Sequence, residues 1–325
     1  MRAVVCVGHV TPDADCLGSM LGFARVWTAS GRQATAALPP GSMSNRLGFL
    51  LDWSGVASAT EADFASADAF VVVDAAQTTR LNLPEAEKAQ WPHNKPVINI
   101  DHHVSNTRFG TVNWVVDGAA SACELVCETL DALALPIDPV AASLLYGGLL
   151  TDTGGFSLPN TTGPALRVAA SLLERGADVR ALGERINRAH RPEDFRLTQT
   201  IYANTHLAAG GRIAYSTANF DEIVAAGCTA ADIDEQVSIP RSVAGIRVAI
   251  LFTEGNKGRT RVNFRGEAGT DVLALAQQFG GGGHREAAGT IMPVPLADAV
   301  AAVMPAAEAM LASGPRVERK DQSTP

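Results

Sequence analysis

Four short runs, residues 3–8, 34–38, 69–74 and 96–101, are apolar at nearly every position rather than at every second one. That pattern belongs to strands covered on both faces. Between and after them, residues 17–29, 119–134, 139–150 and 164–175 repeat apolar side chains at the three-to-four spacing of helices. Strand and helix in alternation predict an α/β fold with a parallel, doubly wound sheet, since parallel neighbours need a crossover between them. Ligands of such sheets collect outside the carboxyl ends of the strands.

The chain's 325 residues predict a second domain. Residues 181–209 are polar, helix-like and broken at Pro192, as suits a connector. Strands then resume at 212–217, 246–252 and 259–264, the last two joined by a Glu-Gly-Asn-Lys-Gly turn that fits a hairpin. Residues 271–279 read as a helix, followed by four glycines at 280–283. The expected organisation is a larger domain over 1–185, a helical linker over 186–211, a smaller α/β domain over 212–312 with a cleft between the two, and a disordered tail over 313–325.

A content of 46% hydrophobic and 18% charged residues is that of a globular protein. The 34 acidic against 26 basic residues leave a net charge of -8, the wrong sign for tracking a long nucleic-acid duplex. Small anions stay within reach of local cations or bound metals. Five cysteines, Cys6, Cys16, Cys123, Cys127 and Cys228, without a CxxC pair read as reduced, buried thiols. No apolar run reaches the roughly 20 residues of a membrane span and no secretory leader precedes the first strand, so the expectation is a cytoplasmic protein without a membrane partner.

The strand ends carry the chemistry. The first run closes in His9-Val-Thr-Pro-Asp13-Ala-Asp15, the third in Asp74, the fourth in Asp101-His102-His103, and Asp152 reads as the residue just past the helix at 139–150. If these strands are neighbours, Asp13, Asp15, Asp74 and Asp152 converge. Two like charges 4 Å apart repel by about 4 kcal/mol at an effective dielectric of 20, so such a cluster must bind protons or cations. Two divalent ions balance four carboxylates, and oxygen donors with some imidazole suit manganese or magnesium, with cobalt or zinc as further choices. Each piece also has a plainer use. Asp13 and Asp15 suit the cap of a helix beginning near Cys16, and His9 a polar strand end. His102 and His103 fall on opposite sides of an extended strand, so one of them would serve a given metal. Capping alone, however, does not ask for histidine at one strand end and Asp-His-His at another.

In this order and spacing HVTPDAD, VVVDAA, DHH and TDTG resemble the four motifs of the DHH phosphoesterase superfamily. GGGGHREAAG, residues 280–289, resembles the signature of the DHHA1 domain that follows in many members. The whole is most similar to the branch of bifunctional oligoribonucleases and pAp phosphatases. The resemblance implies a DHH catalytic domain in which His9, Asp13 and Asp74 hold one metal and Asp15, Asp74, His102 and Asp152 the second. Asp74 would bridge two ions about 3.5–4 Å apart, most simply Mn2+, with Mg2+ or Co2+ as alternatives, that activate a water for in-line attack on phosphorus. His103 would contact the reacting phosphoryl group, with Asp101 accepting from a histidine. Cys16, beside an acid that raises a thiol's pKa, reads as packing.

The resemblance gives the second domain the substrate. Arg265 would clamp a phosphate, with Arg261 on the same strand face. Gly281, Gly282 and Gly283 would offer backbone N–H groups to an anion, and His284 a further donor. Asn263 and Gly266 stand where the family commonly has serines. The implied function is metal-dependent hydrolysis of RNA or DNA oligonucleotides a few residues long to mononucleotides, and removal of the 3'-phosphate of adenosine 3',5'-bisphosphate (pAp). Hydrolysis of cyclic dinucleotides or their linear products is an alternative. A family II inorganic pyrophosphatase would end differently from the Gly-rich His loop, and a sensor with a decayed site would not keep every ligand position filled. A homodimer is left open.

Overall fold

Three of the four apolar runs become the centre of a five-stranded parallel sheet. In this computed structural model, which describes residues 1–39, 47–187, 191–230, 233, 236–267 and 269–313, the chain divides into two units, Met1–Ala189 and His190–Pro325. The first holds β1 (Ala3–Val7), β2 (Gln33–Ala36), β3 (Ala69–Val73), β4 (Val97–Asp101) and β5 (Val112–Val115), in the order β2-β1-β3-β4-β5. All neighbours run parallel. The chain leaves β1 in one direction and returns on its other side at β3, so the crevice of this sheet opens at the carboxyl ends of β1 and β3. His9 and Asp74 follow those two ends. The edge strand β5 was not among the expected runs: Val112 and Trp114 are exposed, and its neighbours Thr111 and Asn113 are polar.

Both sheet faces are covered, as uniform apolarity required. Val4, Cys6, Val71 and Val73 face one core, while Val5, Val7, Phe70 and Val72 face another. The first core is built with α1 (Ala14–Ala29), α5 (Ala122–Ala132), α6 (Pro139–Asp152), α7 (Gly163–Glu174) and α8 (Val179–Asn187), with α2 (Gly48–Ser54) packed at its side. The second is covered by α3 (Glu61–Ser66) and the loops around α4 (Glu85–Lys88). Helix α6 begins at Asp138, whose side chain accepts from the Ala141 N–H, and Ala141 to Leu149 are buried on every side. It lies directly against α1. A Cβ on Gly148 would stand 2.4 Å from Cys123 Sγ and 2.8 Å from Asp15 Cα. Only glycine allows that approach, which brings Asp15 and Asp152 to one place.

The second unit restarts with α9 (Pro192–Ala203) and β6 (Thr205–Ala208), then β7 (Ile213–Ala218), α10 (Phe220–Ala226), α11 (Ser238–Arg241), β8 (Val248–Asn256) and β9 (Arg259–Gly266). It ends with α12 (Leu273–Gln278), β10 (Gly282–Gly283), β11 (Ala287–Met292) and α13 (Leu296–Ser313). Its six-stranded sheet has the order β10-β11-β9-β8-β7-β6, antiparallel except for β7 beside β8. Asn256 pairs with Arg259, so the expected hairpin forms with a turn of only Lys257-Gly258, the first three of the five expected turn residues continuing β8. The segment expected as a linker, 186–211, instead gives α9 and the edge strand β6 to this unit, because Leu197 and Ile201 are buried in it. Residues 188–190 of that segment, and 314–325 of the expected tail, lie outside the described residues.

All five cysteines are free and buried, and no helix among the described residues is long and apolar enough to cross a membrane. The glycine contact is testable. Gly148→Val should lower unfolding free energy by about 1–3 kcal/mol through overpacking, read by urea denaturation. Gly183→Ala, at an open position of α8, should raise it by up to about 1 kcal/mol.

Candidate metal centre

One residue past β3, Asp74 turns the chain with φ +52°, a region that aspartate tolerates better than most side chains. Its carboxylate is buried among three imidazoles. Oδ2 lies 3.3 Å from His9 Nε2, and Oδ1 lies 3.4 Å from His102 Nε2 and 3.5 Å from His103 Nδ1. Oδ1 nevertheless has no hydrogen-bond partner among the described residues. A buried carboxylate oxygen without a partner costs free energy comparable to a lost hydrogen bond, or more, unless a cation completes it.

His9 and His102 face it by their Nε2 atoms because backbone carbonyls hold the other side of each of these two rings. His9 Nδ1 donates to the Val10 carbonyl at 2.7 Å, and His102 Nδ1 faces the Ala119 carbonyl at 3.4 Å. That is the arrangement in which Nε2 serves as a metal ligand. His9 Nε2 is also 3.9 Å from Asp13 Oδ1, and His102 Nε2 is 3.6 Å from Asp152 Oδ2 and 3.8 Å from Asp15 Oδ2. The expectation that His102 and His103 point apart fails. Strand β4 ends at Asp101, so the alternation stops, and the two rings lie 4.9 Å apart beside the same Asp74 oxygen.

Each aspartate is also held from behind. Asp13 is the N-cap of α1, Oδ1 accepting from the N–H groups of Asp15 at 3.1 Å and Cys16 at 3.0 Å, so capping and site position share one side chain. Asp15 accepts from Ala122 N–H at 2.7 Å and Cys123 N–H at 2.9 Å, the first turn of α5, where a helix favours a negative charge. Asp152 does not follow α6 but sits in its last turn, the end where the helix dipole opposes an acid. Its backbone carbonyl is held by Asn160 Nδ2 at 3.0 Å. Buried Cys16 accepts from the His9 N–H at 3.3 Å, and burial pushes its thiol up, so it braces the loop.

The electrostatics follow from this crowding. Burial first, and the charge of Asp74 second, push Asp15 up to about 6. Burial works against the charge on Asp74 too, but the imidazoles of His102 and His9 outweigh it and hold that carboxyl well below its usual range. Protons on the imidazoles can thus do part of a cation's work, at the same atoms. Asp15, His102 and Asp152 present ligand atoms all within 4.8 Å of one another, while His9, Asp13 and Asp74 surround a second position. Carboxylate oxygens with two oriented imidazoles and the orphaned Asp74 oxygen fit divalent cations.

Beneath His103, Asp101 is joined by two amides, Asn99 and Asn106, that were not among the expected site residues. Asp101, with no exposed surface, accepts from His103 Nδ1 at 2.7 Å and from Asn106 Nδ2 at 2.5 Å. Asn106 Nδ2 also reaches Asn99 Oδ1 at 2.8 Å, and Asn99 Nδ2 donates to the Ala75 carbonyl at 3.3 Å. The available signal was Asn99 itself, an amide inside an apolar central strand, which is unfavourable unless fully bonded.

In the second unit, Arg261, Asn263 and Arg265 share one face of β9, and Asn263 Oδ1 accepts from Arg261 Nε at 3.2 Å. Arg265 Nη1 donates to the Phe264 carbonyl at 3.0 Å. A Cβ on Gly266 would stand 1.9 Å from the Thr270 carbonyl oxygen, so this backbone has no room for the family's serine. The glycine run differs from its expected use. The N–H groups of Gly280, Gly281 and His284 donate to the carbonyls of Gln277, Ala276 and Ala287, and Gly282-Gly283 form β10 against β11. Gly281 therefore offers no N–H to an anion, and the run's first role is to close the sheet.

Residues 3–149 match the family model of the DHH family N-terminal domain, and residues 210–312 that of the DHHA1 domain. Over 284 residues the chain is 32% identical to the bifunctional oligoribonuclease and PAP phosphatase NrnA of Thermus thermophilus, covering 87% of this chain and 82% of that protein. The protein of the same name from Mycoplasma genitalium is 28% identical over 291 residues, 89% of this chain and 88% of its own. A solved exopolyphosphatase-related protein from Bacteroides fragilis shares the fold with a TM-score of 0.84 at 20% identity, over 95% of this chain and 92% of that one. The chain belongs to the DHH family, in its NrnA-like branch.

Two outcomes are expected. At about a hundredfold excess over Kd, Mn2+ should add about 2.7 kcal/mol to the stability of the metal-stripped protein, seen as a rise in Tm. Asp74→Asn should abolish that rise and lower the bound metal found by equilibrium dialysis. Asn106→Ala should lower kcat about tenfold on any substrate that is turned over, with bound metal retained; an unchanged kcat would remove the network from function.

Proposed function

We propose that this chain is a divalent-metal-dependent phosphoesterase that hydrolyses short oligonucleotides to mononucleotides and removes the 3'-phosphate of pAp. The observation that carries the reading is the buried Asp74 carboxylate, one oxygen of which has no hydrogen-bond partner among the described residues, standing among His9, His102 and His103 at the carboxyl end of β3. Membership of the NrnA-like branch supports the substrate class, since the names of those relatives give both activities.

His9, Asp13 and Asp74 would hold one cation and Asp15, Asp74, His102 and Asp152 the other, with Mn2+ favoured by the mixed oxygen and imidazole donors. When bound, two such ions polarise phosphoryl oxygens and lower the pKa of a water. The protein's own contribution is orientation. The Val10 and Ala119 carbonyls fix the rings of His9 and His102, and α5 fixes Asp15. Asp101 holds His103 by Nδ1, and the ring so oriented would present a proton to a phosphoryl or leaving oxygen. Arg265, Arg261 and His284, with N–H groups of Gly282 and Gly283, are assigned to the substrate's phosphate or base.

A cyclic or linear dinucleotide phosphodiesterase would use the same residues and is the second reading. The DHHA1 match of the second unit weighs against a family II inorganic pyrophosphatase. The net charge of -8 accords with short substrates rather than long duplexes, and a cytoplasmic setting accords with free thiols.

The test is product analysis with Mn2+ on pyrophosphate, pAp, a linear RNA dinucleotide, an RNA 5-mer and 24-mer, and a cyclic dinucleotide. Preferred turnover of the dinucleotide and pAp is expected; preferred turnover of pyrophosphate or the cyclic dinucleotide would overturn the reading. Arg265→Ala should raise KM on nucleotides far more than it slows a generic phosphodiester, and equal losses would take Arg265 out of recognition.

A further inference from the structure

On the sheet face away from α1 and α6, Thr78, Thr79, Leu83, Lys88, Trp91 and Phe109 are among the residues lining a cavity of about 480 Å3. That volume lies within the range of small-molecule sites. Its walls differ from those of a packing defect. Trp91 is held against Phe70, ring centroids 4.4 Å apart, and both Trp91 and Phe109 are only partly buried. Thr78 and Thr79 are exposed, and their hydroxyls have no hydrogen-bond partner among the described residues. The ammonium of Lys88 pairs with exposed Glu85 at 2.6 Å, a surface contact worth little and easily exchanged.

One wall of the cavity is tied to the metal centre through the backbone. His9 forms an antiparallel bridge with Leu81, which also lines the cavity. The Val10 N–H donates to the Arg80 carbonyl at 2.7 Å and the Asn82 N–H to the Gly8 carbonyl at 2.9 Å. The strip from Thr78 to Leu83 is therefore at once a wall of the cavity and a strap along the His9 loop. Arg80, in the middle of the strip, is exposed and makes no ion pair among the described residues.

We propose that this cavity is a nucleobase subsite of the catalytic unit, holding the base of a second nucleotide whose neighbouring phosphate lies at the metal centre. The inference rests on the phosphoesterase reading above and adds the part of the substrate that unit would grip. Aromatic and aliphatic walls suit stacking on any base, which is sequence-tolerant because every base has a π-face. The threonine hydroxyls suit its polar edge. Lys88 and Arg80 give the rim positive charge for the anionic backbone. A single-base substrate such as pAp has no second base to place there, so the subsite favours oligonucleotides over pAp.

The test uses the full chain loaded with Mn2+ and the ratio of kcat/KM for a 5'-phosphorylated RNA dinucleotide to that for pAp. Thr79→Trp reaches the cavity from an exposed position and fills it without entering the core. Phe109→Leu removes a stacking wall with little change of volume. Both should lower the ratio, Thr79→Trp by about tenfold, the scale of one lost stacking contact. A ratio equal to the wild type's in both variants would overturn the subsite while leaving the phosphoesterase reading intact. A wild-type chain that turns over neither substrate would overturn that reading and this inference together.

Discussion

A carboxylate buried at the end of a central strand has to be answered by positive charge, and Asp74 sets this requirement for the first unit. It stands at the crevice between β1 and β3, where the parallel sheet changes direction. Every element that reaches the crevice brings a group to meet it: His9 after β1, Asp13 and Asp15 at the start of α1, His102 and His103 after β4, Asp152 in the last turn of α6. The mixture needs compensating positive charge, from protons on the imidazoles or from cations. Four carboxylates against imidazoles leave Asp15 raised to about 6 and one Asp74 oxygen without a hydrogen-bond partner among the described residues, a condition that divalent ions would relieve.

The packing around the site serves the same end. An acid in the last turn of a helix is disfavoured by the helix dipole, and an acid in the first turn is favoured. Asp15 lies in the first turn of α1 and accepts from the first N–H groups of α5, so one of the two facing carboxylates is stabilised by two helices while Asp152 is stabilised by neither dipole. Gly148 lets α1 and α6 approach until those carboxylates share His102. The rigidity comes from the apolar helices; the chemistry sits where they end.

The second layer of support is polar and equally particular. The Asn99, Asn106, Asp101 and His103 chain is a buried network in which each member has a partner, so it orients His103 rather than merely tolerating it. In the second unit the same economy appears in the glycine run: N–H groups that could have faced an anion are spent on closing β10 against β11 and capping α12. On β9, Asn263 accepts from Arg261 and so fixes the direction of that guanidinium.

The strands β1, β3 and β4, the helices α1, α5, α6 and α7, and the β8–β9 hairpin were legible because uniform apolarity, helical spacing and a Lys-Gly turn are local signals. So were the metal-type residues at strand ends, as residue types in order. The half-exposed edge strands β5 and β6, the two-residue β10 and the short helices α10 and α11 were not legible, since they are fixed by neighbours and not by their own pattern, whereas α12 falls within the helix expected over 271–279. The sequence by itself determined that acids and histidines would end three strands, because strand ends are set by where the apolar runs stop. Only the tertiary structure decided that His102 and His103 face one oxygen, that Asp152 lies inside α6, and that Asn106 steadies His103. Those outcomes depend on how strands order in the sheet and how closely helices pack, which no single stretch of chain encodes.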